Sequence, residues 1–132
     1  MKLITPELEA RFKEVGDQSE NENPLVIAKF FDSAGSGRWY ATGYDKETNI
    51  AYGYVTGLAY DEWGYFSIEE MESAQIFPTI TMNGEKYTPK RELGIERDIY
   101  FPETNYYDLF PEKKRIDQLN KNKKEQSQEL DY

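Results

Sequence analysis

The chain predicts an α+β fold in which a small antiparallel sheet, a meander, packs with one or two short helices. Three observations carry that prediction: two helix starts with their capping residues, a series of β-branched and aromatic runs joined by short turns, and a length of 132 residues, enough for one core.

The first helix opens at Thr5-Pro6-Glu7-Leu8. Thr5 stands where an N-cap should, Pro6 at the first helical position loses no hydrogen bond, and Gly16 ends the helix after Val15. Leu8, Phe12 and Val15 recur at i, i+4 and i+7, which makes one apolar stripe. The polar segment from Asp17 to Asn23, closed by Pro24, reads as a solvated loop. Strands follow at Leu25 to Asp32, Arg38 to Asp45 and Ile50 to Thr56, joined by a Gly/Ser turn over 33–37 and a second turn over 46–49. On the third strand Ile50, Tyr52, Tyr54 and Thr56 share one face, and Ala51, Gly53 and Val55 the other. Gly43 and Gly53 inside strands mark bulges or close approaches to the backbone.

The most specific stretch is Trp63 to Glu72, where an aromatic strand end passes through Gly64 into a helix start. Ser67 is the N-cap, Glu70 at N3 completes a capping box, and Phe66 at N′ packs on Met71 at N4 as a hydrophobic staple. The helix should run from about Ile68 to Ala74. Beyond it, Asn83-Gly84 signals a two-residue hairpin between Ile76 to Met82 and Glu85 to Tyr87, and Leu93 to Phe101 reads as the last strand. Ile95, Arg97, Ile99 and Phe101 would then share a face, so the Arg97 guanidinium must be paired or must snorkel outward, and Glu69 or Glu72 on the helix would be its structural partner. Tyr106, Tyr107, Leu109 and Phe110 are placed to fold back over the sheet edge. The domain is therefore 1–110 with a hairpin insertion over 76–92, and 111–132 is a charged tail, a frayed helix or disordered.

Without Cys or His, the chain lacks a thiolate zinc site and the usual general base and pH switch, so no metal and no cofactor is expected. The net charge of −9 is uneven: residues 1–111 hold 10 Lys/Arg against 20 Asp/Glu, and residues 112–132 hold 6 against 5. An acidic body is a poor phosphate binder but can meet a basic surface, as a nucleic-acid mimic does, although acidity also serves plain solubility. Direct nucleic-acid binding is thus disfavoured. The N-terminus has no apolar run of the signal-peptide kind and no stretch approaches the roughly 18 apolar residues of a membrane span, so a cytoplasmic location and no membrane partner are expected.

Three segments with the look of chemistry are better read as structure. Asp45-Lys46-Glu47-Thr48-Asn49 has calcium-loop spacing at its odd positions, but Ile50 and Thr56 stand where that loop needs Gly and Glu, which leaves a turn. Gly35-Ser36-Gly37-Arg38 precedes a strand and lacks the P-loop ending. Asp61, Glu62, Glu69, Glu70 and Glu72 could pair for acid–base work or hold Mg²⁺, yet Glu70 caps, and Glu69 and Glu72 suit the helix N-terminal dipole. The dense aromatic set, Trp39, Tyr40, Tyr44, Tyr52, Tyr54, Tyr60, Trp63 and Tyr65, lacks the basic groove of a base-stacking platform and points to a core rim or a protein interface.

Phe30-Phe31, Trp39-Tyr40-Ala41-Thr42, Gly53 to Leu58, Gly64 to Glu72 (GYFS-x-x-E-x-E) and Leu93 to Phe101 (GIERD-x-x-F) occur in the order of a bacterial family of unknown function, which the chain resembles over about Met1 to Pro102. The resemblance implies a small single-domain protein carried on plasmids, integrative elements and phages, often beside antirestriction genes. It implies no catalytic residue; Gly64, Glu69, Arg97 and Asp98 match as motif positions only. The segment 76–92 and the tail after Tyr107 look added to the pattern.

The leading expectation is a non-enzymatic protein of a mobile element that binds and inhibits a host defence nuclease, of the anti-CRISPR or antirestriction type, through its basic nucleic-acid channel. Tyr44, Tyr52, Tyr54, Tyr60, Asp61 and Glu62 are the candidate contact residues. The alternatives are a small enzyme or ligand-binding domain centred on Arg97 and Asp98, where Arg would clamp a phosphate or carboxylate, and an accessory protein of plasmid maintenance.

Overall fold

A computed structural model describes residues 1–76, 80–87 and 93–130. Its elements, in chain order, are α1 (Pro6–Val15), β1 (Leu25–Val26), β2 (Ala28–Asp32), β3 (Arg38–Asp45), β4 (Ile50–Thr56), β5 (Glu62–Ser67), α2 (Ile68–Ser73), β6 (Gln75–Ile76), β7 (Ile80–Met82), β8 (Glu85–Tyr87), β9 (Leu93–Arg97), β10 (Thr104–Asn105), α3 (Tyr106–Leu109) and α4 (Pro111–Leu130). The fold is α+β. The main sheet has the order β5-β4-β3-β2-β9-β6 and its pairings are antiparallel, so β2 to β5 form the meander and β9 joins at the far side of β2.

Local chemistry accounts for most element boundaries. Thr5 Oγ1 accepts the Leu8 N–H at 3.2 Å, and at the other end Gly16 turns left-handed (φ 75°) while its N–H reaches Phe12 O. Ser67 Oγ likewise accepts the Glu70 N–H at 3.2 Å, and Phe66 and Met71 enter the same core. Asn83 and Gly84 both have positive φ, as a type I′ turn between β7 and β8 requires. Of the segment 76–92 read as an insertion, residues 77–79 and 88–92 lie outside the described residues, as do the last two residues of the tail. Of the two states expected for that tail, the helix is the one present over Pro111–Leu130; Lys, Glu and Gln are good helix formers, and Pro111 stands at its first turn.

Two expected strands are shorter in the structure. Leu25 to Asp32 is not one strand: Ile27 donates its N–H to Ala41 O, and the residues before it leave the main sheet to pair with β10. The last strand stops at Arg97 instead of Phe101, because Asp98 is a turn former. Its carboxylate accepts the Tyr100 N–H at 3.0 Å and its carbonyl accepts that of Phe101 at 3.2 Å. Ile99 is consequently exposed instead of sharing a strand face with Ile95, and Tyr100 beside it is exposed too.

The sheet is covered on both faces. Phe12 of α1, Ile68 and Met71 of α2, and the N-terminal Leu3 and Ile4 pack against Phe30, Trp39, Ala41, Ala51 and Val55. On the opposite face Tyr40, Tyr54 and Trp63 lie under Tyr106 of α3 and Phe110, with ring centroids 4.8–5.2 Å apart for Tyr40–Phe110, Tyr54–Tyr106, Tyr54–Phe110 and Trp63–Tyr106, each near edge-on. The segment expected over the sheet edge thus covers a face.

Gly53 and Gly43 have different reasons. Gly53 sits opposite Ala41, and a Cβ there would run into the Tyr40 carbonyl, whereas a Cβ at Gly43 would meet nothing closer than Tyr52 Cβ at 3.9 Å. Gly53→Ala should therefore lower folding stability by about 1–3 kcal/mol or more, while Gly43→Ala stays within about 0.5 kcal/mol. Urea unfolding of the two variants checks the contrast.

Candidate functional site

A groove of about 980 Å³ opens beside the place where β3 changes register, between Ala41 and Gly43. The bulge sets Gly43, which carries no side chain, opposite Tyr52. Tyr52, Trp63, Tyr65 and Tyr106 line one side; the last turn of α1 and the loop after it line the other. Tyr52 lies 5.9 Å from Trp63 in a stacked arrangement and 4.9 Å from Tyr65, which is 80% exposed.

The loop wall is held in place by one side chain that the sequence does not flag. Gln18 donates from Nε2 to Leu25 O and Thr42 O, both at 2.9 Å, and accepts the Leu25 N–H through Oε1 at 2.7 Å. It thereby ties the α1–β1 loop to the start of β1 and to the bulge on β3. A glutamine in a polar loop carries no sequence signal for this role, because its partners are backbone groups whose positions only the fold defines.

The expected contact residues separate into three places. Tyr44 and Tyr52 line the groove. Tyr44 lies on the α1 side, donates its hydroxyl to Asn49 Oδ1 at 2.7 Å, and is pushed above the ordinary tyrosine value by burial and then by Glu9, Glu72 and Asp45. Tyr54 is only 4% exposed beneath Tyr106 and Phe110, so its ring serves packing and not an outer surface. Tyr60, Asp61 and Glu62 are exposed at the other end of the β4–β5 hairpin, some five residues or about 17 Å of strand from Tyr52. Asp61 Oδ1 accepts the Gly57 N–H at 3.1 Å, which shapes that loop.

Arg97 and Asp98 stand apart from the groove, at the end of β9. The structural pairing expected for Arg97 is not made. Glu72 instead accepts the Leu3 N–H at 2.9 Å, and Arg97 Nη1 lies 3.4 Å from Thr5 Oγ1 while its Nε is buried without a hydrogen-bond partner. The N-terminal segment, folding over α2, takes the carboxylate that spacing alone assigned to Arg97. Asp45 accepts the Glu47 N–H in the expected turn, and Arg38 Nη1 donates to Gly35 O and Gly37 O within the Gly/Ser loop. Among the described residues no group of three or more Asp and Glu side chains is close enough to share a metal ion, and no helix is long and apolar enough to cross a membrane.

Residues 3–118 match the family described as a protein of unknown function, DUF2958. The chain belongs to the DUF2958 family. The match runs past Pro102 through α3 and ends inside α4, so the aromatic cover of the second sheet face lies within the DUF2958 region. No curated protein and no solved structure matches the chain.

Two tyrosines of this DUF2958 region are pushed to high pKa where α3 meets α4. Tyr107 rises to about 12 through burial and its hydrogen bond to Asp117, 2.7 Å away; Tyr106 rises further, through burial first and Tyr54 second. Both folded-state values exceed the unfolded value of about 10. The unfolded chain therefore releases these protons first, so their contribution to stability is complete below about pH 10 and is lost as pH rises toward about 12 and beyond. Ultraviolet titration should show a late-ionising group of phenols with Tyr106 and Tyr107 the latest, and Tyr107→Phe should flatten the alkaline fall in stability. For the loop wall, Gln18→Ala should cost about 1–3 kcal/mol in urea unfolding, since it strands buried backbone groups. Gln18→Glu should cost at least as much, because a carboxylate would face two carbonyl oxygens.

Proposed function

We propose that this DUF2958 chain is a non-enzymatic protein of a phage or other mobile element that binds and inhibits a host defence nuclease, of the anti-CRISPR or antirestriction kind. The supporting observation is the combination of an acidic body, 10 Lys/Arg against 20 Asp/Glu over residues 1–111, with tyrosines left in water beside carboxylates. Tyr60 is 77% exposed next to Asp61 and Glu62, and Tyr65 stands on β5, an edge strand of the main sheet. Large aromatic rings at low entropy cost supply contact area, and the acidic field steers the protein toward a basic nucleic-acid channel.

The alternative built on Arg97 and Asp98 has less support. Arg97 does not line the groove, and Asp98 is engaged in the turn that ends β9.

The purified protein, titrated into cleavage reactions of its host's restriction and CRISPR nucleases, should inhibit at least one of them, with potency falling as salt rises. Asp61→Lys combined with Glu62→Lys should weaken inhibition by about tenfold or more, mainly through slower association. Failure to inhibit any such nuclease would overturn the reading.

A further inference from the structure

We propose that the groove beside the β3 bulge binds the guanidinium of an arginine side chain presented by an extended segment of the partner protein. The partner's protein nature rests on the proposed function; the cation preference rests on the groove itself. Its size, about 980 Å³, is that of a ligand site and far exceeds what a bound ion needs.

Four features favour a planar cation. The first is the aromatic wall. Trp63, Tyr52 and Tyr65 present a run of rings on which a guanidinium can stack, and Tyr65 remains 80% exposed. The second is charge: Glu9, Asp17, Glu22, Asp45 and Asp117 line the groove against Lys13 and Lys46, and even with Glu22 paired to Lys121 carboxylates remain in excess. The third is the end of α1, where Lys13 and Gly16 border the groove beside the negative pole of a ten-residue helix.

The fourth is a loosely held carboxylate. Glu9 Oε1 is buried and is ion-paired with Lys46 Nζ at 3.3 Å, without hydrogen-bond geometry, on a lysine side chain that is 80% exposed. An ammonium held that loosely contributes little and is readily displaced. A guanidinium fork supplies the directed N–H groups that this carboxylate lacks. A neutral sugar or amide would use the same rings but gain nothing from the carboxylates.

The test is a nitrogen–proton NMR titration of the whole protein with acetyl-Gly-Gly-Arg-Gly-Gly-amide and with the same peptide carrying citrulline, the neutral isostere of arginine. The arginine peptide should shift the Trp63 indole N–H and the Tyr52 and Tyr65 amides saturably, with a millimolar Kd. Citrulline should bind at least about fivefold more weakly, and Asp45→Asn should weaken the arginine peptide about threefold. Gly43→Leu, which fills the groove from the bulge, should abolish the shifts at unchanged urea midpoint; if that variant does not fold, Tyr65→Ala, altered at an exposed ring, should reduce them. Shifts elsewhere on the surface, equal binding of citrulline, or full binding by a folded Gly43→Leu protein would overturn the assignment. Arginine-peptide binding without inhibition of any nuclease would sink the proposed function and leave the groove assignment standing. Inhibition without peptide binding would do the reverse.

Discussion

Strand β4 carries apolar or aromatic side chains on both faces, and a sheet covered on one side only would leave half of them in water. Ala51 and Val55 point into the layer of α1 and α2, while Tyr52 and Tyr54 point the other way. Among the described residues the chain after β9 supplies the cover for that second face. This explains why β1 breaks from β2 to hold β10, why Tyr106 donates its N–H to Pro24 O, and why Phe110 ends over Tyr40 and Tyr54. Each near edge-on ring pair there adds about 0.5–1.5 kcal/mol beyond its buried area, so the second face is a core in its own right.

The cover is short, and where it stops the groove begins. The four residues of α3 together with Phe110 reach Tyr40, Tyr54 and Trp63, but Tyr65 is left outside and Tyr52 only half covered. At the same level the β3 residue opposite Tyr52 is Gly43, which has no side chain, and Gln18 holds the α1–β1 loop across the gap. The helix α4 leaves this junction into solvent, tethered near its base by Tyr107 to Asp117 and farther along by Lys121 to Glu22 at 2.9 Å. An acidic loop, an aromatic wall and a basic outgoing helix thus meet in one region.

What was legible in the sequence were interactions completed within a few residues. The caps at Thr5 and Ser67, the stop at Gly16, the Asn83-Gly84 turn and the special status of Gly43 and Gly53 all follow from positions next to one another. Period-2 reading also separated the faces of β4 correctly, since side-chain alternation is a property of the strand itself. It failed at Leu93 to Phe101, where alternation continued on paper past a turn-forming Asp98.

The candidate site was legible only as residue types. Tyrosines and carboxylates were visible, but Tyr54 belongs to the second core, Tyr52 to the groove and Tyr60 to the far loop, a sorting that depends on where α3 lands. Glu72 pairs with the Leu3 backbone, 69 positions away, and so is lost to Arg97; no spacing rule spans that distance. The sequence alone determined the helix caps, the meander and the acidic character, because propensity, alternation and charge are local or summed quantities. The tertiary structure alone decided which tyrosines face water and that a groove exists beside Gly43, because both depend on which distant segment covers each face of the sheet.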